Sequence, residues 1–517
     1  MSLVVWLGSG TALSATAVFA LRWWSNYQRY KSLRSLPSPD GYPILGNLPQ
    51  LLSAAKQGKY FTLFRDWAEE LGSMYVVWSL GKPGIILSKP KVIEKTIVRG
   101  LKEKTLIRDP KQRNIWQDIF GAPVMIQQDG ESWQWRRQTF NQTLSSKQIK
   151  TYFEQVQQAC QQVVDSCFEK AKKQEALEVD PLFSELTMRI ISRLLLGIPV
   201  EGLSSSNEGP PLEPHKIYEA LSILVSQFLV KVAAPTKLFQ YLPTSTNQKY
   251  WSAQKYLQNF VEPRVALALQ IARGGKEPDS LKVSPEFAQS MLVQFAKQPL
   301  FTKQMLCAET IGLIFGGTDT TAHTLSFTVG ALGVNSAVFQ RARVEVDRIW
   351  DFNNGLSSES LKELTYIQAV IKESMRLYPV SGGATGCVTV SDTVIDEINV
   401  PADTQIAWSL IAAGRDQQEY PNPNKFLPER WLKDGQKDSL PTFLVFGSGP
   451  HRCWGESLSI LEATVMLAML IRHFDWEVVN GRDSLENLGQ NLTVFPADRM
   501  PIKFTARKLA EQTVSAN

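Results

Sequence analysis

At 517 residues the chain is long enough to bury a large core and enclose a cofactor, and length alone allows about three domains. Its net charge of +5 is small for this size, and no basic patch interleaved with aromatics makes a case for nucleic acid. Five scattered cysteines without a CxxC pair argue against a disulfide framework, and four scattered histidines without HExxH or CxxCH remove the common zinc-protease and c-type haem patterns.

Residues 1–22 are expected to form an N-terminal transmembrane anchor. Leu3–Leu21 carries no charge and is about long enough to cross a bilayer, although Gly8, Ser9, Gly10, Thr11, Ser14 and Thr16 dilute it. Arg22, Arg29, Lys31 and Arg34 follow, with no acid before Asp40, which predicts a single-pass chain with its body on the cytoplasmic side. A signal peptide would carry its positive charge before the apolar run; it and a buried helix are the alternatives. Residues 23–50 read as a basic, proline-rich connector, because Pro37, Pro39 and Pro43 deny helix or central strand. Residues 51–507 read as one catalytic body and 508–517 as a polar tail.

Within the body, Tyr75–Leu80 and Gly84–Ser88 read as a hairpin around Gly81-Lys-Pro83. Residues 147–197 give long amphipathic helices and 202–215 a surface loop, and the strongly apolar run Leu221–Val230 reads as a lid dipping into the membrane or as a buried helix. A long apolar helix follows over 301–330, then another over Leu458–Ile471. Asn491–Phe495 and Ile502–Thr505 read as a late hairpin.

Four segments carry chemistry. In Trp133-Gln-Trp-Arg-Arg137, Trp133 and Arg137 share a helix face, and an arginine there suits a carboxylate; a surface basic helix is the alternative. Gly316-Gly-Thr-Asp-Thr-Thr321 weakens the middle of the long helix. Two glycines cost about 2 kcal/mol relative to alanine, and the threonines can bond back to carbonyls. That pattern suggests a kink with room for water or dioxygen, or else a packing site for small residues. Glu373 and Arg376 lie on one helix face and can pair, as many surface pairs do. In Phe446-Gly-Ser-Gly-Pro-His-Arg-Cys-Trp-Gly455, a lone cysteine sits in a glycine-rich loop before an apolar helix. Backbone N–H groups and the helix N-terminus favour a thiolate there, the ligand a haem iron needs for O–O cleavage; a buried structural cysteine is the alternative.

Taken together these segments resemble the cytochrome P-450 superfamily. Phe446, Gly449, Cys453 and Gly455 match FxxGxRxCxG, with His451 in place of the arginine and Arg452 beside it. Gly316–Thr321 matches (A/G)Gx(D/E)T(T/S), Glu373–Arg376 matches ExxR, and Trp133–Arg137 matches WxxxR. Phe426–Trp431 resembles FxPxRF, with Trp431 replacing phenylalanine. The resemblance implies a mainly α fold with small β-sheets and a long central helix over the haem. It implies haem b with Cys453 as axial iron ligand and Asp319 and Thr320 delivering protons to dioxygen. Trp133 and Arg137 would meet a propionate, as would His451 or Arg452, and Gly316 and Gly317 would lie against the cofactor. Glu373, Arg376 and Arg430 would form a buried bracing network. One departure stands out: Val380–Val390 holds Cys387 and no arginine, where the family often places a propionate-binding one.

The implied activity is a monooxygenase acting on a lipophilic small molecule. No flavin or nicotinamide fingerprint occurs, so electrons from NADPH would arrive through a reductase or ferredoxin docking near the Cys453 loop. The implied location is a membrane, the endoplasmic reticulum in a eukaryote. The rival readings are a peroxide isomerase or lyase without a reductase, and a non-catalytic membrane haem binder.

Overall fold

The structure, a computed structural model, describes residues 24–199, 208–233, 241–274, 278–351, 355–383, 386–432 and 440–508. The expected anchor over 1–22 lies outside the described residues, as does nearly all of the tail. Among the described residues no helix is long and apolar enough to cross a membrane. The fold is mostly helical with small sheets. The chain divides into two compact units.

The first unit comprises the described residues up to Asp109, with Gly383–Asp416 and Ser448–Pro450. Its sheet has the order β1-β2-β8-β5-β3, with β1 Met74–Ser79, β2 Lys82–Leu87, β3 Leu106–Arg108, β5 Cys387–Thr389 and β8 Gln405–Trp408. The expected hairpin is β1–β2, but its turn is shorter than the sequence suggests. Leu80 and Gly81 alone make it, both at positive φ (51° and 78°), the geometry that matches strand twist; Lys82 and Pro83 join the strand. The proline-rich connector is fastened onto this hairpin. Val76 N–H donates to Pro37 O at 2.9 Å, and Gly46 lies so close to Trp78 that a β-carbon would collide with its carbonyl. Leu51, Phe64, Trp67, Tyr75, Val77 and Ile86 form the core beneath. Cys387 pairs with Arg108 across β5–β3, and both are buried. A separate ribbon pairs β6 Thr393–Ile395 with β7 Ile398–Val400.

The second unit, Pro110–Gly382, Gln417–Gly447 and His451 onward, carries the helices. In chain order these include α1 Gly130–Thr143, α2 Ser146–Lys172, α3 Val179–Leu196, α4 Pro214–Ala233, α5 Ser245–Arg273, α6 Lys303–Gly333, α7 Thr365–Leu377 and α8 Glu456–His473. The central α6 packs chiefly on α3. Thr302 caps it by accepting from Met305 N–H at 3.1 Å. Helix α3 ends at Gly197, whose left-handed φ of 67° and tight fit against the Phe287 backbone admit no side chain. On α4, Ile217, Leu221, Leu224, Val225 and Phe228 are buried, so its described part is a packed helix, while 234–240 lie outside the described residues.

Two expectations need correction. The late hairpin is not one element. β10 Leu488–Gln490 pairs with β11 Val494–Pro496, whereas β12 Pro501–Ala506 pairs with β9 Phe474–Val478 and β4 Ala176–Glu178. Short alternating runs read alike whichever partner they find, and only the tertiary fold brings β9 and β4 to β12. Nor does the kink at Gly316–Thr321 interrupt α6. The threonine hydroxyls do bond back, Thr318 to Ile314 O at 2.7 Å and Thr320 to Gly316 O at 2.8 Å, but they add to the backbone ladder without opening it.

The two central glycines do different work. A β-carbon on Gly317 would lie 2.9 Å from Ile191 Cγ1 on α3, so this position is a close helix–helix contact; one on Gly316 would meet nothing within 4 Å. Gly317→Ala is therefore expected to destabilise by about 1–3 kcal/mol through overpacking, while Gly316→Ala should be neutral or stabilising by up to about 1 kcal/mol. Thermal melting of the two variants checks the contrast.

Candidate active site

The site is assembled from α6, the loop before α8, and α1. Cys453 N–H donates to Phe446 O at 2.7 Å, which closes the glycine-rich loop on itself. The N–H groups of Gly455 and Glu456, at the start of α8, point at the sulfur. Burial pushes the Cys453 thiol up, although the residue keeps accessible surface. The backbone donors and Arg137 pull towards the thiolate, as the sequence suggests, but in the bare protein burial outweighs them. Coordination to a metal ion would reverse that balance. Gly447 and Gly449 both have left-handed backbone, at φ 76° and 68°, which a β-carbon would strain; Gly449 belongs to the first unit, against Val98.

Beside the sulfur, Arg137 donates through Nη1 to Arg452 O at 2.8 Å. Burial pulls the Arg137 guanidinium down and Cys453 pulls it up. The Trp133 ring lies 4.4 Å from the His451 ring, and His451 Nε2 is 3.6 Å from Asp129 Oδ1. Arg452 turns outward and grips Glu456 through two bonds of 2.5 and 2.6 Å. Of the two residues at the departure from the motif, His451 therefore keeps company with Trp133, and Arg452 faces the surface.

Helix α6 is exposed at Gly316 and partly open at Thr320, while Thr318, Asp319, Thr321 and His323 are buried. Thr321 Oγ donates to Ser459 Oγ on α8 at 3.0 Å, which ties α6 to the helix that follows Cys453. Burial pushes the Asp319 carboxyl up, opposed by His323, and Thr493 Oγ donates to it at 3.5 Å. Over the same stretch of α6, Trp116 stacks near Phe120 (5.3 Å), Phe228 (4.5 Å) and Phe315 (6.4 Å), an apolar aromatic cluster.

These residues fit a haem. A single accessible thiol met by backbone N–H groups can serve one axial position. Arg137, with Trp133 and His451 beside it, supplies donors suited to a carboxylate edge. No group of three or more His, Cys, Asp or Glu side chains among the described residues is placed to hold a metal ion by itself.

Below the site, Glu373 accepts five hydrogen bonds: two from Arg376 (2.9 and 2.7 Å), one from Arg430 (3.0 Å), one from Trp431 Nε1 (2.9 Å) and one from Leu427 N–H (2.8 Å). All three charged groups are buried. Trp431, which departs from the family's phenylalanine, thus adds a donor to the carboxylate. Glu373→Ala would strand two buried guanidinium groups, a loss of about 3–5 kcal/mol, comparable with the whole stability of many domains. The expected result is little folded protein at 37 °C and a lowered denaturant midpoint in what is recovered.

Sequence reasoning missed one ion pair. Arg136, adjacent to Arg137, points inward and donates at 2.7 Å to Glu309 on α6, whose same oxygen accepts from Met125 N–H at 2.7 Å. Burial pushes Glu309 up to about 7 despite Arg136. Neighbouring arginines cannot be told apart by pattern, and the helix period becomes informative only once the partner helix is known. A carboxyl higher in the folded than in the unfolded chain stabilises fully below the ordinary glutamate value, and that contribution is lost as pH rises through about 7. Glu309→Gln should remove a stability change on the order of 3 kcal/mol between roughly pH 4.5 and 7. Denaturant unfolding of both proteins across that window reads it.

The comparisons with known proteins agree on one family. The family model described as Cytochrome P450 matches residues 36–504. Among similar proteins, "Probable cytochrome P450 12c1, mitochondrial" of Drosophila melanogaster is 26% identical over 88% of either chain. Cytochrome P450 3A14 of Cavia porcellus is 23% identical over 91% of either chain. Cytochrome P450 26A1 of Danio rerio is 24% identical, covering 91% of this chain and 90% of its own.

Proposed function

The chain belongs to the cytochrome P450 family and is a monooxygenase of that type, and from this premise we propose that Cys453 would hold a haem iron through its thiolate and that Asp319 and Thr320 deliver protons in the hydroxylation of a lipophilic small molecule. The observation that carries this reading is the accessible Cys453 residue, its sulfur met by the Gly455 and Glu456 N–H groups, in the same unit as the exposed Gly316 and half-buried Thr320 of α6.

When bound, the haem supplies dioxygen activation. The chain's own residues do the rest. Arg137, Trp133 and His451 would hold the carboxylate edge of the group. The N–H groups at Cys453 steady the thiolate. Thr320 holds a hydroxyl at the open stretch of the helix, and Asp319, buried one residue away, keeps a proton that it can release to it. The Trp116, Phe120, Phe228 and Phe315 cluster excludes water and favours an apolar substrate. Glu373, Arg376 and Arg430 brace the fold on the cysteine side. Electrons come from NADPH through a reductase or ferredoxin partner, and the chain is held at a membrane by residues 1–22. The pairing of Asp319 with Thr320 argues against the peroxide-rearranging and haem-storage readings, neither of which needs proton delivery.

The test is dioxygen uptake by purified protein supplied with NADPH and a reductase, with lipophilic compounds first screened for the low-spin to high-spin spectral change. Uptake and a hydroxylated product that both require reductant support the reading. Product formed from a peroxide substrate without reductant would replace it with the rearranging reading.

A further inference from the structure

Beneath Asp319 lies a buried charge cluster that neither the motif nor the proposed mechanism uses. Asp180, fully buried at the start of α3, accepts three hydrogen bonds through its carboxylate. His323 Nδ1 lies 2.7 Å from Oδ1, Ser326 Oγ donates to Oδ1 at 2.9 Å, and Arg499 Nη1 donates to Oδ2 at 3.3 Å. His323 is one helical turn beyond Asp319 on α6, so the two side chains share a face. From α4, the Tyr218 hydroxyl hydrogen-bonds Arg499.

The turn that delivers Arg499 is itself held in an unusual shape. Arg499 and Met500 both have positive φ, 65° and 55°, a conformation that costs energy for such side chains. Four bonds hold it: Arg499 N–H to Pro496 O (2.9 Å), Met500 N–H to Asp498 Oδ1 (3.0 Å), Asp180 N–H to Arg499 O (3.2 Å) and Val179 N–H to Met500 O (3.2 Å). A second element is thus bent so as to bring a cation to Asp180.

We propose that His323, held by Asp180, which Ser326 and Arg499 hold in turn, is a positioning residue that supplies the positive charge opposite Asp319 and so keeps that acid able both to release and to recover a proton. The inference rests on the reading of Asp319 as the proton-delivering acid. Charge balance supports it: with Asp180 ionised and His323 and Arg499 cationic, release of the Asp319 proton leaves a neutral buried set, whereas without the histidine charge the same release leaves a net anion out of water. Burial pulls the imidazole down, but Asp180 and Asp319 more than reverse this against Arg499, and the net direction is up. Burial pushes Asp180 up, yet His323, Ser326 and Arg499 outweigh it and hold it low. The groups facing His323 are therefore Asp180 from α3, Arg499 from the turn before β12 (with Tyr218 from α4 on that arginine) and Asp319 from its own helix.

With only four histidines in the chain, a selectively labelled histidine spectrum of the holoenzyme in its ferrous carbonyl form is simple enough to assign by the signal lost in His323→Gln. The expected result is an imidazole that stays protonated above the ordinary histidine range near 6.5 and loses that property in Asp180→Asn. The second measurement is product formed per reductant consumed, against pH. Without the cation the Asp319 carboxyl rises further, so in His323→Gln the alkaline limb should move up by about one pH unit. His323→Lys should return it towards wild type. A wild-type His323 signal titrating at or below 6.5 overturns the inference, and this needs no variant to fold beyond the one used for assignment. An unmoved limb in His323→Gln, with Asp319→Asn still crippled, also overturns it while leaving the relay intact. If Asp319→Asn itself couples normally, the relay reading fails and the inference falls with it.

Discussion

Cys453→His is expected to abolish the red-shifted Soret band of the reduced carbon-monoxide complex, and hydroxylation with it. The band reports electron donation from a thiolate, and no second cysteine can take over. Cys160 and Cys167 are buried within α2, Cys387 within the sheet of the first unit, and Cys307 lies on α6, between three and four turns before Thr320. Imidazole can still hold iron, so haem content should fall less than activity. The loop should survive the change, since its closing bond from Cys453 N–H to Phe446 O is backbone. A red-shifted band that persists in the variant would remove Cys453 from the ligand position.

Asp319→Asn is expected to slow coupled turnover by about 100- to 10,000-fold, the range for loss of a general acid–base group. Asparagine keeps the shape and an acceptor for Thr493 Oγ, so folding and substrate-induced spectral change should persist. Thr320→Ala should behave differently. It leaves Asp319 in place and removes only a hydroxyl that bonds back to Gly316 O, so reductant and dioxygen should still be consumed. Much of the flux should then leave as hydrogen peroxide. The measurement is product formed per reductant consumed, with a substrate already shown to bind. An unchanged ratio in Thr320→Ala would make the threonine a packing residue.

The contrast between Gly316 and Gly317 shows where pattern reading stops. Both weaken a helix equally on paper, and the sequence offers a functional opening and a packing site as rival explanations. The structure makes Gly317 a packing contact, crowded by Ile191, while a β-carbon on Gly316 would meet nothing within 4 Å. The same holds for Arg136 and Arg137, adjacent in sequence, of which one turns inward to Glu309 and the other lies beside Cys453.

What the sequence determined by itself is what short-range chemistry encodes: the helix periods, the β1–β2 hairpin, and the Cys453 loop, whose glycines set local backbone shape. The Gly316–Thr321, Glu373–Arg376 and Trp133–Arg137 spacings were legible too, because each lies within one or two helical turns. Tertiary structure alone decided which strand β12 pairs with, that Trp431 donates to Glu373, and that His323, Ser326 and Arg499 converge on Asp180, with Tyr218 on Arg499. Those partners come from α3, α4, α6 and the turn before β12, more than a hundred residues apart in places. Buried charges are stable only when all their partners arrive together, so no window of sequence around any one of them carries the signal.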